Sequence, residues 1–260
     1  MTGESATVRL HVERFIAELV LSNGPLNLVT RDMLRALNGA LAQVSANRDV
    51  RCLIVHGGGA RAFCAGSDIK EFADLAEHAS EQKILFEDMV VRTLARIAMP
   101  TIAALDGPAL GGGLELALAC DLRVCKRGIA LGLPESRLGG LAGSGSVRLA
   151  RLIGPARAKE LLFTGETISV EKALAWGVVN AVVDEGSALD AARTIAATIA
   201  KRGPLSNRLA KELVAAAEEL PIDAALSLST VAQQRIFESR DLHEGAAAFF
   251  AKREPEFLGR

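Results

Sequence analysis

The sequence predicts an α/β fold: a core of largely parallel strands separated by helices, followed by a helical C-terminal part. In the first half, short apolar runs alternate with segments whose apolar residues recur at helical spacing, which is typical of strands connected by helices. After Arg148, residues that favour helices predominate, with breaks at glycine and proline. With 260 residues, of which 50% are hydrophobic, the chain is long enough to bury a large core without disulfide bonds.

The first half can be predicted element by element. Thr30 is a good N-cap, because its hydroxyl can accept a hydrogen bond from the first turn of a helix. Met99-Pro100 ends a second helix, since the residue before a proline avoids the helical conformation. In chain order, we expect strands at Val8–His11 and Phe15–Leu21, a helix from Thr30 to about Asn47, a strand at Cys52–His56, a helix at Ile84–Ile97, a strand at Thr101–Leu105, a helix at Leu114–Ala119 and a strand at Leu122–Cys125.

The second half is predicted to be mostly helical, with no linker rich in proline, glycine and serine before it. Helix breaks are expected at Gly154-Pro155, Thr164-Gly165, Gly177, Gly203-Pro204 and Pro221. We therefore expect one core over residues 1–195 and a helical region over residues 196–260. Exposed apolar faces of such helices commonly form subunit contacts.

The charge balance argues against a protein that binds nucleic acid or a membrane surface, and the cysteine spacing indicates the role of the thiols. The chain carries 30 Lys and Arg against 31 Asp and Glu, so it has no overall basic character with which to bind nucleic acid or a membrane surface. Its 4 cysteines form no CxxC pair and are interpreted as buried apolar side chains.

The start of the chain resembles no signal peptide and no run is apolar enough to span a membrane, so we expect a cytoplasmic protein. No pattern of His, Cys and Asp has metal-ligand spacing, and we expect no metal.

Three consecutive glycines, Gly111 to Gly113, precede an apolar helix. Without a Cβ the backbone can approach a ligand closely, and the first N–H groups of the helix are free to bind an anion or an oxyanion. A P-loop would continue with Lys and Ser or Thr, and a dinucleotide fingerprint requires GxGxxG directly after a strand. The sequence has Glu115 instead, which favours proton transfer beside a carbonyl oxygen over phosphate binding.

A second carboxylate, Glu135, follows 20 residues after Glu115, beyond one helix and a predicted short strand pair. If the chain reverses direction over these elements, both carboxylates come to lie in one cleft, where burial and mutual repulsion raise their pKa values toward neutral pH. The spacing leaves a second interpretation open, because a glutamate in the first turn of a helix also simply complements the helix dipole.

The arrangement of these residues resembles the crotonase (enoyl-CoA hydratase/isomerase) superfamily. The motifs that carry the resemblance follow one another over nearly the whole chain, from about Val8 to Gly259. They are Phe63-Cys64-Ala65-Gly66-Ser67-Asp68-Ile69-Lys70-Glu71, the run Gly107–Asp121, Pro134-Glu135, Leu162-Phe163-Thr164-Gly165-Glu166, Ala175-Trp176-Gly177-Val178-Val179-Asn180 and Glu244–Arg253.

The resemblance implies a crotonase-like spiral of ββα units with a C-terminal helical region that forms trimers, which usually pair into hexamers. It implies an oxyanion hole made by the backbone N–H groups of Ser67 and Gly112, with Glu115 and Glu135 as the catalytic pair. The family's contacts to coenzyme A correspond to Ala65, Asp68, Ile69 and Lys70, and to Phe249 and Lys252 from a neighbouring subunit. Coenzyme A enters as part of an acyl-CoA substrate, and no separate cofactor is expected.

Because both glutamates are present, the resemblance favours an enoyl-CoA hydratase, which adds water to a 2-enoyl-CoA thioester in the syn sense. Related Δ3-Δ2 isomerases, decarboxylases and thioester hydrolases are the alternatives within the family, and these often lack or move one carboxylate. A non-enzymatic CoA-binding or assembly subunit is a further alternative. An RNA-binding relative would require a basic stripe, for which the helix after Thr30 offers only scattered arginines.

The resemblance implies that the segment Ala142–Leu149 is a loop, about one residue shorter than the corresponding loop of the family's hydratases. In the family this segment borders the acyl end of the pocket. The sequence therefore leaves the acyl group of the substrate open.

Overall fold

The structure is a computed structural model that describes residues 7–260, so residues 1–6 of the predicted core lie outside the described residues. Its centre is a six-stranded sheet with the strand order β1-β2-β3-β4-β6-β9. β1 and β2 are antiparallel, and the later pairs of this sheet are parallel. The strands are Val8–Glu13 (β1), Ile16–Leu21 (β2), Cys52–His56 (β3), Thr101–Leu105 (β4), Leu122–Lys126 (β6) and Ala181–Val183 (β9).

A second, smaller sheet has the order β5-β7-β8. Its strands are Ala109–Leu110 (β5), Ala130–Gly132 (β7) and Thr167–Ser169 (β8). β5 pairs parallel with β7, and β7 pairs antiparallel with β8. The expected short strand pair before Glu135 is therefore wrong in one respect: β6 and β7 follow each other along the chain but belong to different sheets.

The helices account for most of the second half of the chain. They are Arg31–Ala46 (α1), Ile69–Leu75 (α2), Leu85–Arg96 (α3), Gly112–Ala119 (α4), Gly143–Ile153 (α5), Pro155–Thr164 (α6), Val170–Trp176 (α7), Ala188–Ala200 (α8), Pro204–Glu219 (α9), Ile222–Phe237 (α10) and Arg240–Ala251 (α11). A π-helical turn, Ser80–Ile84, leads into α3, and a 3₁₀ turn, Pro134–Leu138, follows β7. Within residues 7–260, no helix is both long and apolar enough to cross a membrane.

Two apolar layers cover the two faces of the large sheet. In β3, Leu53 and Val55 belong to the larger layer, and Cys52 and Ile54 belong to the smaller one, as the alternation of side chains along a strand requires. The smaller layer is covered by α8, which buries small alanines against it. Helices α1, α3 and α4 bury their apolar faces in the larger layer, and the two predicted catalytic glutamates lie on this side.

The predicted strands and helices of the first half are confirmed within a few residues. Thr30 caps α1, accepting a hydrogen bond from Met33 N at 3.2 Å. The four cysteines are free and buried, and burial raises the pKa of each thiol to about 12. The second half is mostly helical, as predicted. It also contains two strands of three residues each, β8 and β9, which are too short to carry an alternating pattern.

Candidate active site

The segment that ends in Ser67 lies between two other backbone segments. On one side, Ala65 N donates to Leu26 O (3.0 Å), and on the other, Leu110 N donates to Cys64 O (3.0 Å). Val29 N donates to Gly66 O (2.9 Å) and Asp68 N donates to Val29 O (3.1 Å). This bridge uses the carbonyl oxygen of Gly66 and the N–H group of Asp68, on either side of Ser67, and leaves the Ser67 N–H group outside the pairing.

The glycine cluster begins α4 directly beside Ser67. Gly111 is the N-cap with φ +52°, and a Cβ on Gly113 would overlap the carbonyl oxygen of Cys64, so only glycine fits there. Gly112 is the first residue of α4, and its N–H group has no acceptor within the helix. A Cβ built on Gly112 would lie 3.6 Å from Ser67 N, so the two predicted oxyanion-hole residues are in direct contact.

Glu115 is buried in the first turn of α4. Its Oε1 accepts a hydrogen bond of 2.6 Å from Gly145 N, in the first turn of α5. Burial raises the pKa of this carboxyl, while the Gly145 N–H bond, the nearby Ser144 hydroxyl and the Arg148 guanidinium oppose the rise. Glu115 is thus a carboxyl whose ionised form is partly stabilised within an apolar environment.

The predicted loop at Ala142–Leu149 is wrong, because α5 already begins at Gly143. Its N-cap, Ala142, has no side chain that can accept a hydrogen bond. The carboxylate of Glu115, on α4, accepts the hydrogen bond that a capping side chain would otherwise accept. A Cβ on Gly145 would lie 3.0 Å from both Glu115 Oε1 and Leu133. Glycine is therefore used here for close approach within a helix rather than for loop flexibility.

Glu135 lies in the 3₁₀ turn after β7 and is half-buried. β7 pairs with β5, and Gly111 N donates to Gly132 O (2.9 Å), so the turn is brought back to the start of α4. Glu135 Oε1 would lie 2.8 Å from a Cβ on Gly111. Burial and the negative charge of Glu115 raise the pKa of Glu135. The structure thus brings the Glu135 carboxyl to the start of α4, the helix that carries Glu115, close enough for the two charges to interact.

Glu87 on α3 is a third carboxyl at this position, and the sequence reasoning missed it. It is buried, and its Oε1 is 3.2 Å from Ser67 Oγ, within hydrogen-bond distance. Burial, and more weakly the charge of Glu115, raise its pKa to about 7, against the opposing effect of Lys83. A signal exists in the sequence: Glu87 occupies the apolar stripe of α3, one turn before Val90 and Val91.

Buried polar atoms without a hydrogen-bond partner are concentrated at this site. Among residues 7–260 these atoms are Glu87 Oε2, Glu135 Oε2, Ser144 Oγ, Arg148 Nε and His56 Nε2. The first four belong to side chains that interact electrostatically with Glu115. Since buried polar groups are nearly always paired, such a concentration is typical of a site whose partner is a ligand.

Asn27 is a second residue that the sequence reasoning missed. It is fully buried with φ +49°, and its Nδ2 donates to Gly57 O (3.1 Å), Ala62 O (3.2 Å) and Phe63 O (3.1 Å). These bonds fix the chain just before the Ser67 segment. A lone asparagine after a turn carries no sequence signal for such a role, because its partners are distant along the chain.

The residues predicted to contact coenzyme A lie in two places. Ala65, Asp68, Ile69 and Lys70 follow one another into α2, where Asp68 is the N-cap and accepts from Lys70 N at 2.9 Å. Phe249 and Lys252 are at the end of α11, in the C-terminal region, and both are exposed. Their contact with coenzyme A remains a prediction. Within residues 7–260, no cluster of His, Cys, Asp and Glu is arranged to hold a metal ion.

Comparison with known proteins gives consistent results. A model of the enoyl-CoA hydratase/isomerase family matches residues 12–260. The chain is 38% identical over 257 residues to a Bacillus subtilis protein named "Probable enoyl-CoA hydratase", covering 97% of this chain and 98% of the relative. It is 35% identical over 236 residues to the crotonyl-CoA hydratase of Syntrophomonas wolfei, covering 90% and 91%. A crystal structure of an enoyl-CoA hydratase from Bacillus anthracis superimposes with a TM-score of 0.94 at 34% identity, covering 98% of this chain and 100% of that one.

Proposed function

Because the chain belongs to the enoyl-CoA hydratase/isomerase family, also called the crotonase superfamily, we propose that it is an enoyl-CoA hydratase that adds water to a 2-enoyl-CoA thioester. One observation carries the choice of hydration among the reactions of the family. Glu115 lies in the first turn of α4, and the carboxyl of Glu135 lies beside Gly111, the residue that precedes this helix. Hydration requires two proton transfers, one from water and one to carbon, and two carboxyls serve both.

The proposed reaction proceeds through an enolate-like transition state. The Ser67 and Gly112 N–H groups receive the thioester carbonyl oxygen, on which negative charge develops; loss of one such donor in an enzyme costs about 3–4 kcal/mol. The oxygen of water attacks C3 while one glutamate takes its proton. The other glutamate delivers a proton to C2 from the same face, which gives syn addition.

The electrostatics support Glu115 as the group that activates water and Glu135 as the group that protonates C2. Glu115 receives the N–H bond of Gly145 and lies near Arg148, both of which favour its ionised form. Glu135 is next to the negative charge of Glu115, which favours its protonated form. The two carboxyls interact, so they titrate as a pair.

The remaining parts of the proposal concern binding and assembly. Ala65, Asp68, Ile69 and Lys70 are proposed to bind coenzyme A, which arrives as part of the substrate, and the protein is proposed to need no separate cofactor. Phe249 and Lys252 are proposed to reach the coenzyme A of a neighbouring subunit in a homotrimer or a hexamer. We propose the cytoplasm as its location.

The test is hydration of crotonyl-CoA, followed by the loss of enone absorbance. We expect turnover by the wild type and a decrease of about 10²- to 10⁴-fold in Glu115→Gln and in Glu135→Gln, the range for lost acid–base catalysis. Glu81→Gln is the matched control, because Glu81 is exposed on the turn before α3. Absence of turnover by a wild type that binds CoA thioesters, across several chain lengths, would refute hydration and direct attention to isomerase, decarboxylase and hydrolase assays.

A further inference from the structure

Glu87 has no part in the two-carboxyl reaction, yet it contacts Ser67 and lies beside Gly112, the two residues of the proposed oxyanion hole. Its Oε1 is 3.2 Å from Ser67 Oγ, and the same Oε1 would lie 3.2 Å from a Cβ on Gly112. Its Oε2 is buried without a hydrogen-bond partner among the described residues. The Glu87 carboxyl therefore lies on the α3 side of the proposed oxyanion hole.

The charged groups around Glu87 come from three elements: the π-helical turn, α2 and α4. Lys83, on the π-helical turn, is fully buried, with its Nζ 3.0 Å from Glu71 Oε2 and 2.9 Å from Val29 O. Lys83 therefore already has a carboxylate partner from α2. Glu115 on α4 and Glu71 both add negative charge that opposes ionisation of Glu87. Only Lys83 and the Ser67 hydroxyl favour the ionised form.

We propose that Glu87 is a positioning residue of the oxyanion hole: in its uncharged form it holds Ser67 against Gly112 and keeps negative charge away from the carbonyl oxygen of the substrate. The carbonyl oxygen of the uncharged carboxyl accepts a hydrogen bond from the Ser67 hydroxyl, so the contact is retained. An ionised Glu87 would also keep the contact with Ser67. It would, however, repel the negative charge that develops on the thioester oxygen, because repulsion between like charges is strong where water is excluded. The proposal rests on the proposed function, because it assumes that a thioester oxygen is bound there.

Glutamine is the diagnostic substitution, because it keeps the shape and the acceptor oxygen of the uncharged acid and cannot ionise. We therefore expect Glu87→Gln to hydrate crotonyl-CoA with nearly the wild-type kcat/KM at pH 6. As the pH rises, Glu87 ionises in the wild type only, so the ratio of kcat/KM of Glu87→Gln to that of the wild type should grow about tenfold by pH 8.5. The titration that Glu115 and Glu135 show without a charge on Glu87 is common to both proteins and cancels in this ratio, whereas the coupling of the Glu87 charge to Glu115 is part of the effect that the ratio measures. Glu81→Gln should give a ratio that does not depend on pH.

Two results would overturn the proposal: a ratio that stays constant with pH, or a Glu87→Gln protein that is folded and inactive at every pH. The second would mean that the glutamate takes part in proton transfer. If Glu87→Gln does not fold, Glu87→Asp serves in its place, and its profile should keep an alkaline decrease with a shifted midpoint.

A measurement without turnover separates this proposal from the proposed function. Butyryl-CoA labelled with ¹³C at the carbonyl carbon cannot be hydrated, and its carbonyl stretch in the infrared difference spectrum reports how strongly the bound oxygen is polarised. In the wild type the stretch should move to higher wavenumber between pH 6 and pH 8.5, and in Glu87→Gln it should not move. Equal behaviour of the two proteins would refute the role of Glu87 even if hydration is observed. A difference between them would support it even if hydration is not.

Discussion

Replacing Glu87 with glutamine should make the protein more stable than the wild type at pH 8, with a much smaller difference at pH 5. The folded-state pKa of Glu87 is raised from 4.5 to about 7, mainly by burial. An acid whose pKa is raised by folding stabilises the fold in its protonated form. That contribution is complete below the unfolded pKa and is lost as the pH rises through the folded pKa. Glutamine does not titrate, so the Glu87→Gln variant does not lose stability in this way as the pH rises.

The size of the effect follows from the same two values. The difference between about 7 and 4.5, at about 1.4 kcal/mol for each pH unit, corresponds to about 3 kcal/mol, most of it gained between pH 5 and pH 8. For a protein of this size, that free energy shifts the melting temperature by roughly 6–12 °C.

The assay is urea unfolding of the wild type, Glu87→Gln and the exposed control Glu81→Gln at both pH values. Protein concentration should be held constant, since assembly contributes to apparent stability. The measured quantity is the change, between pH 5 and pH 8, in the difference of unfolding free energy between variant and wild type. If that change is below about 0.5 kcal/mol, the typical scale of a neutral surface substitution, Glu87 does not have a raised pKa and the reasoning fails.

Three further predictions concern the frame of the site. Gly113→Ala should prevent folding or lower the unfolding free energy by about 3 kcal/mol or more, because its Cβ would overlap Cys64 O; a soluble variant with the wild-type urea midpoint would contradict this. Asn27→Ala should lower the unfolding free energy by roughly 2–4 kcal/mol, because three buried carbonyl oxygens lose their donor; Asn23→Ala, at a half-buried asparagine, is the comparison in the same denaturation series. In Lys83→Met, the loss of stability with rising pH should occur at a higher pH than in the wild type, because Lys83 is the main charge that favours ionised Glu87. An unchanged midpoint in the pH–stability curve would argue against their interaction.

The elements of the first half could be predicted because local patterns determine them. Thr30 caps α1 through its own side chain, and Met99-Pro100 ends the helical run that contains α3. The glycine cluster indicated a helix start beside a ligand, and the structure has α4 beginning at Gly112. The contact of Gly111 with Glu135 was predictable only as a consequence of the family resemblance, since β5 and β7 are two or three residues long.

What could not be predicted depends on partners that are distant along the chain. Gly143-Ser144-Gly145 has the composition of a loop, but it is helical because Glu115 accepts the Gly145 N–H group and Leu133 packs against it. Glu87 has an ordinary position on an amphipathic helix until Ser67 is placed beside it. Tertiary contacts override local preference at both places, and both adjoin the candidate site.

The bond between Glu115 and the start of α5 has a consequence for altering this protein's substrate range. If the segment Ala142–Leu149 borders the acyl end of the pocket, as the resemblance to the family implies, substitutions that reshape the pocket would be introduced there. The same segment supplies the N–H group, the hydroxyl and the guanidinium that adjust the acidity of Glu115. A variant selected for a bulkier acyl group at Ser144 or Gly145 would therefore also carry a changed pH optimum. On the proposed function, substrate choice and reaction rate would both depend on the start of α5, and they are expected to change together during divergence.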